Sequence, residues 1–176
     1  MDAPTLSNPA RVFRALLRGG RQSRQTLATA LNLSVPTISQ CILTLESLGL
    51  AQEDGTLAAT GGRKARLLAA IPEARYALGL DVTQEHLTLV LVDLAGEVRA
   101  SRRTPLTFKR TDAYFEAAAQ EAERFLAEQS VSWERVLGVG ISVPGIVSLD
   151  RQTMEYSHIL QIEQLSCECF SRLLPR

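Results

Sequence analysis

The chain has 176 residues, 45% of them apolar and only 5% aromatic, with a formal net charge of zero. That length holds one ordinary domain or two small ones, and the apolar fraction excludes a disordered chain, so a core built mainly from Leu, Val, Ile and Ala is expected. The charge is unevenly spread: residues 1–75 carry nine Lys/Arg against five Asp/Glu, net +4, and residues 76–176 carry ten against fourteen, net −4. A basic half joined to an acidic half points to a polyanion as partner of the first half alone.

Three cysteines, Cys41, Cys167 and Cys169, make an odd count. Residues 1–20 contain Arg11, Arg14 and Arg18 and no clean apolar stretch, which is not the pattern of a signal peptide. No apolar run approaches the ~20 residues a membrane span needs. A cytoplasmic protein with reduced thiols and no membrane association is expected. Cys167-Glu168-Cys169 can be read as half a zinc site, but the one-residue spacing and the lack of a partner pair argue against it, and no metal is predicted.

In chain order, Asn8-Pro9 reads as a helix start, because Asn caps free N–H groups and Pro suits the first helical position. The helix runs through Val12, Phe13, Leu16 and Leu17 at apolar-stripe spacing and stops at Gly19-Gly20. Ser23 caps a second, short helix with Leu27, Ala28 and Leu31 on one face, and Asn32-Leu33-Ser34 breaks it. Ser34 caps a third helix with Pro36 in its first turn. Its inward residues are Ile38, Ile42, Leu45 and Leu48, with Gly49 as the C-terminal stop. A strand around Leu50–Gln52, a turn at Asp54-Gly55 and a second strand follow. Thr60–Lys64 forms a flexible basic tip, Arg66–Leu68 returns to strand, and Pro72-Glu73 marks a domain junction.

From Tyr76 the pattern changes. Ala77–Asp81, Leu87–Asp93 and Val98–Thr104 read as strands, the last two joined by a turn at Ala95-Gly96-Glu97. Asp112 caps a long amphipathic helix to about Gln129, with Tyr114, Phe115, Ala118, Ala122 and Phe125 as its core face. Arg135–Val143 reads as a buried strand ended by Pro144-Gly145. The order β-β-β-α-β opens a mixed α/β domain.

Three short helices and a hairpin make a winged helix-turn-helix, whose third helix enters the major groove N-terminus first. The outward residues of that helix suit the role. Gln40 can hydrogen-bond a base edge, and Ser34, Thr37 and Ser39 can reach phosphates or bases alongside Pro36. Arg24 can grip the backbone. Gly62, Arg63 and Lys64 sit where a wing meets phosphate or the minor groove. A plainer reading makes Ser23 and Ser34 helix caps and Arg24 a solvated cation. The combined pattern favours DNA binding.

Three segments carry a resemblance to a known family: Ser34–Leu50 (SVPTISQCILTLESLGL) with Thr60–Leu68 (TGGRKARLL), Leu78–Leu94 (LGLDVTQEHLTLVLVDL) and Val139–Ser148 (VGISVPGIVS). In that order they resemble the DNA-binding repressor branch of the ROK family (repressors, open reading frames and sugar kinases). The resemblance implies an α+β chain: a winged helix-turn-helix over residues 1–72, then an incomplete actin-like (ribonuclease H-like) α/β subdomain over 76–176. In the family's kinases the first hairpin of the actin-like domain carries Asp-x-Gly-Gly-Thr, whose glycines admit ATP phosphates. Here Asp81-Val82 is followed by Thr83-Gln84-Glu85, so no catalytic residue and no cofactor are expected.

The family's catalytic Asn-Asp segment, second phosphate loop and zinc motif lie further along and are not present, which implies a truncated product or a fragment of a longer protein. The function implied is a repressor of sugar-metabolism genes acting on a double-stranded DNA operator, with a sugar or sugar phosphate as effector and a homo-oligomeric state if the domain is intact. Of the matched segments, Pro144 and Gly145, with His158 nearby, border where such an effector would sit. For His158 a surface or packing role is the plainer reading. A sugar kinase and a non-functional remnant are the alternatives.

Overall fold

The computed structural model of the protein describes residues 6–56, 65–150 and 152–173, with side chains described as far as Phe170. The chain divides into two compact units, Met1–Ala74 and Arg75–Arg176.

The first unit contains α1 (Asn8–Gly19), β1 (Gln22–Ser23), α2 (Arg24–Leu31), α3 (Val35–Ser47), β2 (Ala51–Thr56) and β3 (Arg66–Ala70). Its three-stranded sheet has the order β1-β3-β2, with both pairings antiparallel. The core is aliphatic: Val12 and Leu16 of α1, Leu27 and Ala28 of α2, Ile38, Cys41, Ile42 and Leu45 of α3, and Ala51 and Leu68 of the sheet. Arg11 reaches from α1 to donate to the carbonyl of Leu31 at 2.9 Å, satisfying a group that the end of α2 leaves open.

Two sequence expectations change here. Asp54-Gly55 does not end the strand; both residues lie within β2, where the pairing register shifts between Glu53 and Thr56, so the dipeptide marks a bulge. β3, which begins at Arg66, pairs antiparallel to β2. Leu48 is 53% exposed rather than inward. The helix has ended at Ser47, and Gly49 at φ 66 redirects the chain: Gly49 N–H donates to Glu46 O at 3.0 Å and Leu50 N–H to Leu45 O at 2.8 Å. This is a complete Schellman cap, and it swings Leu48 off the buried stripe. Cys41 takes a core position instead.

The second unit begins after a short 3-10 helix at Pro72–Ala74. It runs β4 (Tyr76–Val82), β5 (His86–Asp93), β6 (Val98–Pro105), α4 (Asp112–Glu128), β7 (Val136–Ser142), β8 (Ile146–Val147), β9 (Thr153–Ser157) and β10 (Ile162–Ser166). The larger sheet has the order β6-β5-β4-β7, antiparallel except for the parallel pair β4–β7. Alternation places Leu78, Leu80 and Val82 opposite Leu91, Leu89 and Leu87 on one face. The helix α4 covers that face with Tyr114, Phe115, Ala118, Ala122, Phe125 and Leu126, all buried. The small sheet β10-β9-β8 contributes Met154, Ile162 and Leu165 to the same core.

Asp112 is the first residue of α4 rather than its cap; Thr111 holds the N-cap position, and the carboxylate suits the positive end of the helix dipole. Nor is β7 a buried strand. Among the described residues it pairs only with β4, Val139 and Ile141 face the core half-buried, and Leu137 is 67% exposed. Its apolar run serves one face of an edge strand.

The β5–β6 turn is held by Asp93, whose side chain is fully buried. Its Oδ1 accepts from the backbone N–H groups of Ala95 (2.8 Å) and Glu97 (3.0 Å), and its Oδ2 from Arg99 Nε (2.7 Å). Burial pushes this carboxyl up, but the Glu97 N–H, the Arg99 guanidinium and the Ala95 N–H outweigh it and hold the group below its ordinary value. Tyr114 packs edge-on against Phe108 and Phe115, with ring centroids 4.8 and 5.5 Å away. Its hydroxyl is buried without a hydrogen-bond partner among the described residues, and burial pushes the phenol up to about 12.

Candidate nucleic-acid interface

The helix-turn-helix is assembled by two copies of one local device. Ser23 Oγ accepts from Thr26 N at 3.1 Å and contacts Thr26 Oγ1 at 2.8 Å; Ser34 Oγ accepts from Thr37 N at 3.2 Å and contacts Thr37 Oγ1 at 2.8 Å. A Ser-x-x-Thr cap therefore starts both α2 and α3. Between them Asn32 adopts the left-handed conformation (φ 52, ψ 51), and Leu33 N–H returns to Ala28 O at 3.0 Å. No acidic residue lies in the first turn of either helix, so the positive helix ends are left uncompensated by side chains.

The sequence-derived contact residues of α3 fall into two groups. Ser34 and Thr37 are engaged with each other in the cap, and Ser39 Oγ donates to Val35 O at 3.0 Å. These hydroxyls keep accepting capacity but already hold partners. Pro36 and Gln40 are exposed. Gln40 lies one turn beyond Pro36, and among the described residues its side-chain amide has no partner. Leu43, 58% exposed, continues the same helix surface and was not anticipated as an outward residue.

Arg24 is not simply solvated. Its Nη2 lies 3.4 Å from Glu53 Oε1, while Arg66 Nη1 lies 2.7 Å from Glu53 Oε2, and Arg21 Nε pairs with Asp54 at 2.7 Å. The two ion pairs on Glu53 join residues 29 and 13 positions apart, and no local sequence pattern announces them. Gly62, Arg63 and Lys64, the expected wing contacts, lie outside the described residues.

In the second unit the structure brings Pro144, Gly145 and the 156–158 segment together. Ser157 Oγ donates to the carbonyl of Pro144 and accepts from Leu160 N at 3.0 Å. A Cβ on Gly145 would lie 2.7 Å from Tyr156 O and 3.1 Å from Ser157 Cβ, so only glycine fits against β9 there. His158 is exposed and lines an open cleft of about 330 Å³ with Arg110, Tyr156, Gln161 and Glu163. The β4–β5 turn is closed by Thr83, whose Oγ1 donates to His86 O (3.0 Å) and accepts from His86 N (3.1 Å). The carbonyls of Gln84 and Glu85 accept from Phe108 and Leu106. Side chains fill the turn where a phosphate loop would present glycine backbone.

Among the described residues no group of three His, Cys, Asp or Glu side chains is placed to hold a metal ion, and no single helix is long and apolar enough to cross a membrane. Burial pushes the Cys41 thiol up, as expected of a packing residue.

No family model matches the chain. The DNA-binding transcriptional dual regulator NagC of Escherichia coli (strain K12) is 25% identical over 158 residues, covering 89% of this chain and 38% of that protein. The xylose repressor of Bacillus subtilis (strain 168) is 24% identical over 145 residues, covering 82% of this chain and 38% of the relative. The chain thus spans less than two fifths of the curated relatives it matches. Among solved structures, a ROK family transcriptional regulator, a homologue of the E. coli Mlc protein, superposes with a TM-score of 0.67 at 22% identity, over 96% of this chain and 43% of that one. It shares the winged helix-turn-helix and the opening sheet and helix of the actin-like domain. In sequence over most of its length the chain is similar to transcriptional repressors, and in fold it is similar to a ROK family transcriptional regulator.

Proposed function

We propose that the chain is a sequence-specific DNA-binding transcriptional regulator, a repressor of sugar-metabolism genes, and not a sugar kinase. The observation that carries this reading is the outer surface of α3. It is a capped helix with no acid in its first turn, with Pro36 exposed and with the amide of Gln40 free to read a base edge, adenine being its natural partner. Ser34, Thr37 and Ser39 add phosphate or base contacts beside it. Arg24 and the segment Gly62, Arg63 and Lys64 engage the backbone.

The Thr83-closed turn supports the non-enzymatic reading, since it offers no glycine cradle to a nucleotide. Relatives named N-acetylglucosamine repressor and xylose repressor support a sugar or sugar phosphate as effector, with Pro144, Gly145 and His158 bordering its place, and the family resemblance implies a homo-oligomer on a palindromic operator.

The test is a gel shift across a range of salt with a duplex selected from a random pool. Gln40→Ala relaxes discrimination at one base by about 1–3 kcal/mol. Arg63→Ala or Lys64→Ala weakens binding on every sequence and lowers the salt slope by about 1. Failure of the chain to retain any duplex at low salt overturns the reading.

A further inference from the structure

Glu53 places its two carboxylate oxygens on two different arginines. Oε1 faces Arg24, the first residue of α2, at 3.4 Å, and Oε2 faces Arg66, the first residue of β3, at 2.7 Å. The arginines come from the two parts of the unit proposed above to meet DNA backbone: the start of the helix-turn-helix and the base of the wing hairpin. Their side chains remain 31% and 60% exposed. Each guanidinium has five N–H donors, so each keeps donors for a second anion. Two guanidiniums converging on one oxyanion is also the donor arrangement that takes a phosphate. Burial pushes the Glu53 carboxyl up, and the hydrogen bonds and charges of Arg66 and Arg24 more than reverse that, so Glu53 holds both cations as a carboxylate.

Resting on the DNA-binding reading, we propose that Glu53 is an internal competitor for the DNA backbone: its carboxylate occupies the guanidiniums of Arg24 and Arg66, and phosphate has to displace it. Phosphate contacts are blind to sequence, whereas the base contacts of α3 are not. An anion that weakens only the first kind lowers affinity for every duplex by a common factor and makes binding less dependent on salt. Glu53 is then a positioning residue that sets the strength of backbone contact on every sequence.

The experiment uses the full 176-residue chain and a duplex of arbitrary sequence, with affinity measured against salt. Glu53→Gln keeps size and removes the charge. It frees two arginines, which adds up to two phosphate contacts, so the loss of affinity between about 50 and 200 mM salt grows by about tenfold. Adding Arg24→Gln and Arg66→Gln to Glu53→Gln returns the slope to that of the wild type. Glu53→Thr, a residue suited to a strand, repeats the charge removal should Gln disturb the bulge. A slope in Glu53→Gln and Glu53→Thr equal to wild type overturns the proposal and leaves the DNA-binding reading in place. So does a lowered melting temperature with no change in slope, which would give Glu53 a folding role alone. Absence of duplex binding by the wild type at every salt concentration overturns both.

Discussion

Replacing Asp93 by Asn isolates the charge of the carboxylate that closes the β5–β6 hairpin. The Asn carbonyl still accepts from Ala95 and Glu97, but the amide NH2 then meets the Arg99 Nε donor where Oδ2 now accepts at 2.7 Å. A charge-assisted hydrogen bond is worth about 1.5–3 kcal/mol net. Arg99 is 40% exposed, so water recovers part of its loss, which brings the cost to about 2 kcal/mol at neutral pH. For a unit the size of Arg75–Arg176 that corresponds to a fall of about 10 °C in melting temperature.

The chain has a single tryptophan, Trp133, which lies in this unit, so its fluorescence reports unfolding there. The sign of the pH dependence follows from the lowered folded-state pKa. The stabilisation is complete above the ordinary carboxylate value near 4 and disappears as pH falls through that value and then the lower folded one. The wild type and Asp93→Asn therefore differ by about 10 °C at pH 7 and converge in acid as the pH falls below the lowered folded-state value. A gap under about 2 °C at pH 7, or one that persists undiminished in acid, refutes the assignment of this stability to the charge.

Other outcomes follow from single contacts. Tyr114→Phe removes a buried hydroxyl that has no partner among the described residues and keeps the edge-on ring packing, so it stabilises the second unit by about 1 kcal/mol in urea melts followed at Trp133; destabilisation would show that the hydroxyl is satisfied. Gly145→Ala drives a methyl to 2.7 Å from the Tyr156 carbonyl and costs about 1–3 kcal/mol, read the same way; an unchanged midpoint would mean that β9 yields freely. Ser34→Ala removes the α3 cap at a cost of about 1 kcal/mol to the first unit by circular dichroism, while Ser34→Asp restores most of it; equal melting of Ala and Asp variants would rule out a capping role.

Much of this architecture is legible in the sequence because it rests on local rules. Ser34 followed by Thr37 gives a cap, Ile38, Ile42 and Leu45 give one helix face, and the alternation from Leu87 to Leu91 gives a strand with one buried side. The misreadings come where a local pattern is reused by tertiary context. Leu48 continues the apolar period of α3, yet the Schellman cap at Gly49 has already turned the chain. Val136–Ser142 looks like an interior strand, yet its apolar residues face a core on one side only and its glycines fall on the other. Asp54-Gly55 has turn chemistry, which a bulge uses equally well.

Within the candidate site, the α3 surface was readable from helical spacing as far as Gln40, and Leu43 was not considered. The clamp of Arg24 and Arg66 on Glu53 was not readable, because it exists only once the register of β2 against β3 is set. Gly145 was singled out as part of a turn; its packing against Tyr156 is visible only in three dimensions.

The cap at Gly49 also governs how force passes through the first unit. The helix α3 hands over to β2 with no slack: the Leu50 amide is tied back to Leu45, and the next residue, Ala51, is already paired with Ala70 of β3. A helix joined in this way cannot slide along its axis or roll about it without breaking both cap hydrogen bonds and the first rung of the sheet, at about 1 kcal/mol for each bond. The C-terminal end of α3 and the first rung of the sheet are thus coupled, and a displacement of Ala51 is passed on to α3.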